Sequence, residues 1–172
     1  LNCAGLRSHI EDINGDDKLL KGDCLLFQET SLNNGERIKM AKYRESMFTS
    51  FGKGKGIATY STKISMDVAS RSEERVQVMK SSFDKVDIIN VYRSAEGSKT
   101  TLVESLKHFI KEGRTTVIAG DFNICGKTEQ QDTVLQFITQ NGFTQLSDEP
   151  TQIQGRQIDH IYINQPSLVR GI

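Results

Sequence analysis

Apolar and polar positions alternate along the chain with two different periods, which predicts a protein built from both strands and helices. Short apolar or alternating runs predict β-strands at residues 24–27, 57–61, 76–83, 86–92, 116–119 and 158–163. The polar residues 84–85 between the third and fourth runs indicate a hairpin. The apolar positions of residues 101–111 and 132–140 each fall on one helical face, and Gly142 ends the second helix. We therefore expect a layered α/β sandwich with a partly antiparallel sheet.

The composition narrows the class of protein. The chain has 172 residues, enough for one domain, and its 22 Lys and Arg balance 22 Asp and Glu. A net charge of zero excludes a strongly basic tail and weakens any hypothesis of tight non-specific binding to nucleic acid. A hydrophobic content of 36% suits a soluble globular domain. No apolar run approaches the roughly 18 residues of a membrane span.

The cysteines and histidines exclude the common disulfide and zinc patterns. Cys3, Cys24 and Cys125 have no C-x-x-C spacing, and the three histidines are scattered along the chain. We therefore expect three unpaired, buried thiols and a reducing intracellular compartment.

Several predicted strands end in residues that can hold a metal ion or a phosphate group. The run 116–119 leads into Gly120-Asp121-Phe122-Asn123, where alternation places Asp121 and Asn123 on one side. A carboxylate and an amide there can hold a water and a phosphate oxygen, although an ordinary polar turn explains four residues equally well. Glu29 follows the run 24–27 and is a ligand type that Mg²⁺ prefers, unless it caps the next segment.

Two further side chains lie at strand ends. The hydroxyl of Tyr92, at the end of the run 86–92, can donate to a phosphate oxygen, although a strand tyrosine more often only packs. Alternation groups Asp159 with Ile161 on an apolar face, which predicts a buried carboxylate that needs a cationic or N–H partner. Because His160 points to the opposite face, we expect that partner to be a histidine beyond residue 172. The alternative is a frayed strand with Asp159 in solvent.

A basic segment lies between residues 36 and 55. It contains six basic and only two acidic residues, with aromatic residues among them. The basic residues are Arg37, Lys39, Lys42, Arg44, Lys53 and Lys55. Such an excess can lie along a nucleic-acid backbone, and a solvated loop is the alternative. The glycine-rich stretch 52–56 lacks the spacing of a nucleotide-binding P-loop, so we interpret it as a turn before the run 57–61.

Five short strings, read in chain order, resemble the endonuclease/exonuclease/phosphatase superfamily. They are Asn2-x-x-Gly5-Leu6, Phe27-Gln28-Glu29-Thr30, Asn90-Val91-Tyr92, Gly120-Asp121-Phe122-Asn123 and Ile158-Asp159-His160. Together they span nearly the whole chain, and most resemble endonucleases of the apurinic-site and retrotransposon type. The resemblance implies one domain over residues 1–172. Its implied fold is a four-layer α/β sandwich with two packed mixed β-sheets flanked by helices.

The resemblance also implies roles for the matched residues. Glu29 would ligate Mg²⁺, or Mn²⁺, with Asn2 supporting the metal or Asp121. Asp121 would orient or deprotonate the attacking water, and Asn123 would hold the phosphate. Tyr92 would donate to the scissile phosphate. These carboxylates would repel a phosphodiester unless a divalent cation neutralised them, which agrees with a metal requirement.

Two departures from the family pattern affect this interpretation. Ala4 stands where the family often has an acidic or amide residue, and the family's closing Ser-Asp-His string does not occur before Ile172. Asp159 would orient the histidine of that string. We therefore expect a domain that is incomplete at both ends and impaired as residues 1–172 alone. A longer reading frame would supply the histidine and be fused to further domains.

The sequence thus predicts a Mg²⁺-dependent phosphodiester hydrolase that acts on a DNA or RNA backbone. The first hypothesis is a nuclear DNA endonuclease of a mobile element or its multidomain host protein, with no membrane partner. The alternatives are a deadenylase or an inositol or lipid phosphatase of the same superfamily. A non-catalytic nucleic-acid-binding remnant is a third interpretation, and the joint presence of Glu29, Asp121, Asn123 and Asp159 speaks against it.

Overall fold

The computed structural model describes residues 1–33, 36–40, 42–50 and 55–169, apart from the side chains of residues 45, 46 and 48–50. Its strands are β1 (Cys24–Gln28), β2 (Glu45–Ser50), β3 (Gly56–Ser61), β4 (Asp67–Glu73), β5 (Val76–Ser82), β6 (Val86–Arg93), β7 (Thr115–Asp121), β8 (Thr144–Gln145) and β9 (Asp159–Ile163). Its α-helices are α1 (Ile10–Gly15), α2 (Lys99–Phe109) and α3 (Thr133–Gln140). Short 3₁₀ helices span Leu6–His9, Leu19–Lys21 and Pro166–Leu168.

The strands form two sheets. The smaller has the order β1-β3-β2 and is antiparallel, with one parallel bridge that joins Asn2 to Gln28. The larger has the order β4-β5-β6-β7-β9-β8 and is mixed, because β6 and β7 run parallel while the other pairs are antiparallel. The predicted hairpin is β5–β6, in which the Phe83 N–H donates to the Val86 carbonyl over 2.8 Å.

Three apolar clusters separate four layers. Helices α2 and α3 cover the larger sheet with Leu102, Leu106, Phe109, Val134 and Ile138, packed on Ile89, Val91, Ile118 and Phe122. The segment around α1 covers the smaller sheet with Leu6 and Ile13, packed on Leu25, Phe27, Ala58 and Tyr60. Between the sheets lie Met47, Ile57, Met79 and Tyr92. The predicted four-layer α/β sandwich is therefore confirmed.

Side-chain caps fix where the two longer helices begin. The Ser98 hydroxyl accepts the Thr101 N–H at the start of α2, and the Asp132 carboxylate accepts the Val134 N–H at the start of α3. Both helices lie within two residues of the predicted limits. None of the helices in the described residues is both long enough and apolar enough to cross a membrane.

Strands β6 and β7 approach unusually closely at Gly120. A Cβ on this residue would lie 1.9 Å from the Val91 carbonyl oxygen, and its φ of +148° is one that L side chains rarely adopt. Only glycine therefore fits at the position immediately before Asp121, and this backbone constraint helps to set the position of that carboxylate.

We expect Gly120→Ala to lower the free energy of unfolding by about 3 kcal/mol or more, because Val91 or the strand must move. Urea unfolding followed by circular dichroism measures this. Gly113→Ala is the matched control, because Gly113 also has a positive φ, +74°, but no atom lies within 4 Å of the place that its Cβ would occupy. Equal losses in the two variants would show that backbone strain, not the close approach, makes glycine necessary.

Candidate active site

Four strands deliver polar side chains to one edge of the sandwich. β1 ends at Gln28 and is followed by Glu29, while the parallel strands β6 and β7 end side by side with Tyr92 opposite Asp121. The antiparallel strand β9 begins with Asp159, which pairs with Asp121. Residues far apart in the sequence are therefore neighbours at this edge.

The edge contains a cavity of about 750 Å³. Its lining includes all but one of the predicted catalytic and metal residues, namely Asn2, Glu29, Asp121, Asn123 and Asp159. The exception, Tyr92, is buried beside the cavity and donates its hydroxyl hydrogen to Oε1 of Glu29 over 2.7 Å. The structure thus brings together the six side chains to which the sequence analysis gives catalytic or metal-binding roles.

Neutral donors hold both oxygens of the central carboxylate. Nδ2 of Asn2 donates to Oδ2 of Asp121 over 3.0 Å, although the two residues are 119 positions apart. The backbone N–H of Asn123 donates to Oδ1 of Asp121 over 3.0 Å. With both oxygens bound, the Asp121 side chain has a fixed orientation at the cavity wall.

Burial and like charge disfavour the ionised form of Asp121. Burial raises the pKa of this carboxyl to about 6, with the charges of Asp159 and Glu29 adding to the rise and the bonds from Asn2 and Asn123 opposing it. The pKa of the Tyr92 phenol is also raised, first by burial and then by Glu29, so the hydroxyl stays a hydrogen-bond donor at neutral pH. A cation in the cavity would relieve the repulsion among the carboxylates.

The donor set fits a hard divalent cation that keeps part of its water shell. Across the described ranges, no group of three or more His, Cys, Asp and Glu side chains is arranged to hold a metal. Mg²⁺ needs no such cage, because it usually binds one or two carboxylates and fills its other positions with water and substrate phosphate. Glu29 and the amide oxygen of Asn2 match that requirement, with Asp121 beside them. They do not match a structural zinc site, which needs four ligands, mostly nitrogen or sulfur.

A buried amide network fixes the smaller sheet against the larger one next to the cavity. Nε2 of Gln28 donates to Oδ1 of Asn90 over 2.6 Å, and Nδ2 of Asn90 donates to the Ala58 carbonyl over 3.0 Å. Both amide side chains have no exposed surface. Both residues stand in the strings Phe27-Gln28-Glu29-Thr30 and Asn90-Val91-Tyr92, but sequence reasoning gave neither of them a role.

Sequence reasoning also missed the loop that closes the cavity on the side of β9. Thr151 and Gln152 line the cavity, and Oγ1 of Thr151 accepts the N–H groups of Ile158 and Asp159 over 3.1 Å each. A polar loop of this kind has no periodic pattern, so the sequence carries no signal for its position.

The predicted environment of Asp159 is wrong. His160 and Tyr162 lie on the buried face of β9 and pack on Phe122. On the Asp159 face, which the sequence predicts to be apolar and buried, Ile163 is buried but Ile161 is 44% exposed. The alternation was correct, but the aromatic side chains with polar tips face the core and Ile161 does not. Asp159 is half-buried at the open cavity, and no described histidine lines that cavity. Its pairing with a histidine stays a prediction.

None of the basic residues that the structure describes in the segment 36–55 lines the cavity. Arg37, Lys39 and Arg44 line a separate hollow of about 290 Å³ around Tyr60, which pairs with Leu25 towards the other end of β1. The Lys42 ammonium instead donates to the carbonyls of residues 20 and 22. Lys55 is exposed just before β3, and Lys53 lies outside the described residues. The nucleic-acid role of the six cations stays a prediction.

Comparison with known proteins gives similarity at the level of structure. No family model and no curated protein sequence matches the chain. An AP endonuclease from Archaeoglobus fulgidus superposes with a TM-score of 0.73 and 18% identity, over 96% of this chain and 85% of that one. The endonuclease domain of TRAS1, a telomere-specific non-LTR retrotransposon, superposes with a TM-score of 0.67 and 14% identity, over 94% of this chain and 81% of that one.

An endonuclease/exonuclease/phosphatase family protein from Leptotrichia buccalis gives a TM-score of 0.65 and 10% identity, over 95% of this chain and 85% of that one. The chain has the endonuclease/exonuclease/phosphatase fold. The resemblance inferred from five short strings is therefore confirmed for the fold, at identities too low for a sequence comparison to find.

We expect Asp121→Asn to remove a pH-dependent loss of stability from the metal-free protein. A raised folded-state pKa means that the stabilising contribution of this group is present below its unfolded pKa and is lost as pH rises through about 6. Between acid and neutral pH the wild type should therefore lose about 1–2 kcal/mol more unfolding free energy than the variant. The Asn amide nitrogen cannot accept the second N–H, which should lower the stability of the variant by about 1 kcal/mol at both pH values. Urea unfolding at both pH values measures the difference.

Mg²⁺ provides a second arm of the same experiment. The ion should stabilise the wild type more than Asp121→Asn, because only the wild type has the full charge to neutralise. Asp148→Asn, which changes an exposed carboxylate away from the cavity, is the matched control and should change neither result. An equal change of unfolding free energy between acid and neutral pH in the wild type and in Asp121→Asn would contradict the repulsion argument.

Proposed function

We propose that the chain is a Mg²⁺-dependent phosphodiester hydrolase that cleaves DNA, as an intracellular endonuclease of a mobile element or of its multidomain host protein. The observation that carries this proposal is the convergence of Asn2, Glu29, Asp121, Asn123 and Asp159 on one cavity. The fold supports it, because an AP endonuclease and a retrotransposon endonuclease domain share that fold.

Glu29 and Asn2 would hold the metal, with Asp121 beside them. Bound Mg²⁺ would supply Lewis-acid stabilisation of the negative charge on the phosphate. Tyr92 contributes by fixing Glu29, since its hydroxyl donates to Oε1 and leaves the other carboxylate oxygen for the metal. Because the one phenol hydrogen is donated to Glu29, the donation to the scissile phosphate that the family resemblance implies would require this hydroxyl to exchange partners.

Asp121 is the candidate general base. A general base works best with a pKa near the working pH, and in the metal-free protein burial raises the pKa of this carboxyl to about 6, which a bound cation would lower. Its orientation is set by Asn2 and by the backbone of Asn123, so it can accept a proton from a water at a fixed position in the cavity. The Asn123 side chain lies on the same wall, where an amide can hold a phosphate oxygen.

The first test is metal binding, which is measured without activity. Calorimetric titration of the protein with Mg²⁺ should give at least about tenfold weaker binding for Glu29→Ala, because a carboxylate ligand is lost. Glu112→Ala removes an exposed carboxylate remote from the cavity and is the matched control. Equal affinity in all three proteins would favour the non-catalytic nucleic-acid-binding interpretation.

The second test is the choice of substrate. The same preparation is assayed on supercoiled plasmid, abasic duplex, poly(A) and phosphoinositide, with Mg²⁺ and with a chelator. We expect cleavage of the DNA substrates, lost on chelation and lowered by about 10²-fold or more in Asp121→Asn, because the general base is removed. Preferred turnover of poly(A) or phosphoinositide would replace the DNA assignment with the deadenylase or phosphatase one.

A further inference from the structure

A guanidinium group is buried behind the candidate active site without an acidic partner. Arg93, the last residue of β6, is 2% exposed, and no described carboxylate lies within ion-pair distance of it. Buried arginine usually pairs with a carboxylate, because an uncompensated buried charge is costly. Here backbone carbonyl groups take the place of the carboxylate.

The four carbonyl groups belong to two separate turns. Nη1 of Arg93 donates to the carbonyls of Ala95 and Gly97, over 3.1 and 2.7 Å, in the turn that follows β6. Nε and Nη2 donate to the carbonyls of Phe122 and Asn123, over 2.8 and 3.0 Å, in the turn that follows β7. One planar group therefore fixes the spacing between the ends of two parallel strands.

The bond to the second turn is reciprocal. Nδ2 of Asn123 donates to the backbone carbonyl of Arg93 over 2.8 Å, so two hydrogen bonds of opposite direction join these residues. Asn123 also has a φ of +49°, in the left-handed region that asparagine adopts more readily than most other non-glycine residues. Its backbone N–H is the donor that orients Asp121. A shift of this turn would therefore move both side chains.

We propose that Arg93 is a positioning residue for phosphodiester hydrolysis, which holds the turn after β7 so that Asp121 and Asn123 keep their orientation at the cavity. This inference rests on the proposed function. Arg93 does not line the cavity, so it acts only through the residues it fixes. Its neighbour Tyr92 carries the contact to Glu29, so a fixed end of β6 also helps to set the distance between the two halves of the site.

Lysine cannot replace this group. Its ammonium is a point charge on a flexible stem and cannot bridge four carbonyls as a planar fork does. In Arg93→Lys the carbonyls of residues 122 and 123 lose partners, and the turn after β7 can relax. We expect kcat to fall by about 10–100-fold, while KM changes by less than about threefold, because misplaced catalytic groups affect mainly the transition state.

Arg114 provides a matched control at the other end of the same two strands. It donates to Oδ1 of Asp87 and to the carbonyls of Phe83 and Asp84, close to where β6 and β7 begin. Arg114→Lys should therefore lower the free energy of unfolding but leave kcat per folded molecule unchanged. Equal losses of kcat in the two variants would overturn the proposal, as would a wild-type kcat in Arg93→Lys.

Two further measurements separate positioning from general destabilisation. Guanidinium at low concentration should restore part of kcat to Arg93→Ala, whereas urea should not, and Arg114→Ala should not respond. Amide hydrogen exchange in residues 121–126 should be faster in Arg93→Lys than in Arg114→Lys. If the wild type cleaves no substrate, the proposed function fails, and this exchange comparison still decides whether Arg93 holds the turn. Unchanged exchange would overturn that role.

Discussion

Mutual repulsion among carboxylates that share one cavity is the constraint on which the rest of this structure depends. Glu29, Asp121 and Asp159 come from three different strand ends, and like charges in a partly buried site favour separation. The protein opposes that separation with neutral donors, such as the Asn2 amide on Asp121 and the Tyr92 hydroxyl on Glu29. The free energy of unfolding is therefore lower than it would be with apolar side chains in place of these carboxylates, and the protein keeps a site with excess negative charge.

The same constraint explains why the contact between the sheets is polar near the cavity. Apolar contacts such as those of Ile57 with Met79 are non-directional and would tolerate small shifts of one sheet over the other. The hydrogen bonds of Asn90 with Gln28 and Ala58 require one alignment, since any shift would leave a buried amide without a partner. Glu29 follows Gln28 directly, so the alignment of the sheets also determines the distance from Glu29 to Asp121.

How much of this structure the sequence predicts depends on how far apart in the sequence the interacting residues lie. Apolar runs located β1, β5, β6 and β7, and the residues that follow them supplied Glu29 and Asp121. Strand β4 was missed because its sequence is mostly polar and exposed, so that pairing with β5, not burial, keeps it extended. The bond of Asn2 to Asp121 and the clamp by Arg93 join distant residues and leave no periodic pattern. The family resemblance supplied Asn2, and nothing indicated a role for Arg93.

The choice of partners for Arg93 bears on how the acidic site can remain charged. A guanidinium paired directly with Asp121 would lower the pKa of that carboxyl and neutralise the site from within the protein. Because Arg93 is bound by the carbonyls of Phe122 and Asn123, it fixes the turn beneath Asp121 while leaving the carboxylate without a cationic partner. Rigidity and charge are thus supplied by different groups. The unneutralised charge remains available to a cation from solution, which is the condition a metal-dependent hydrolase requires.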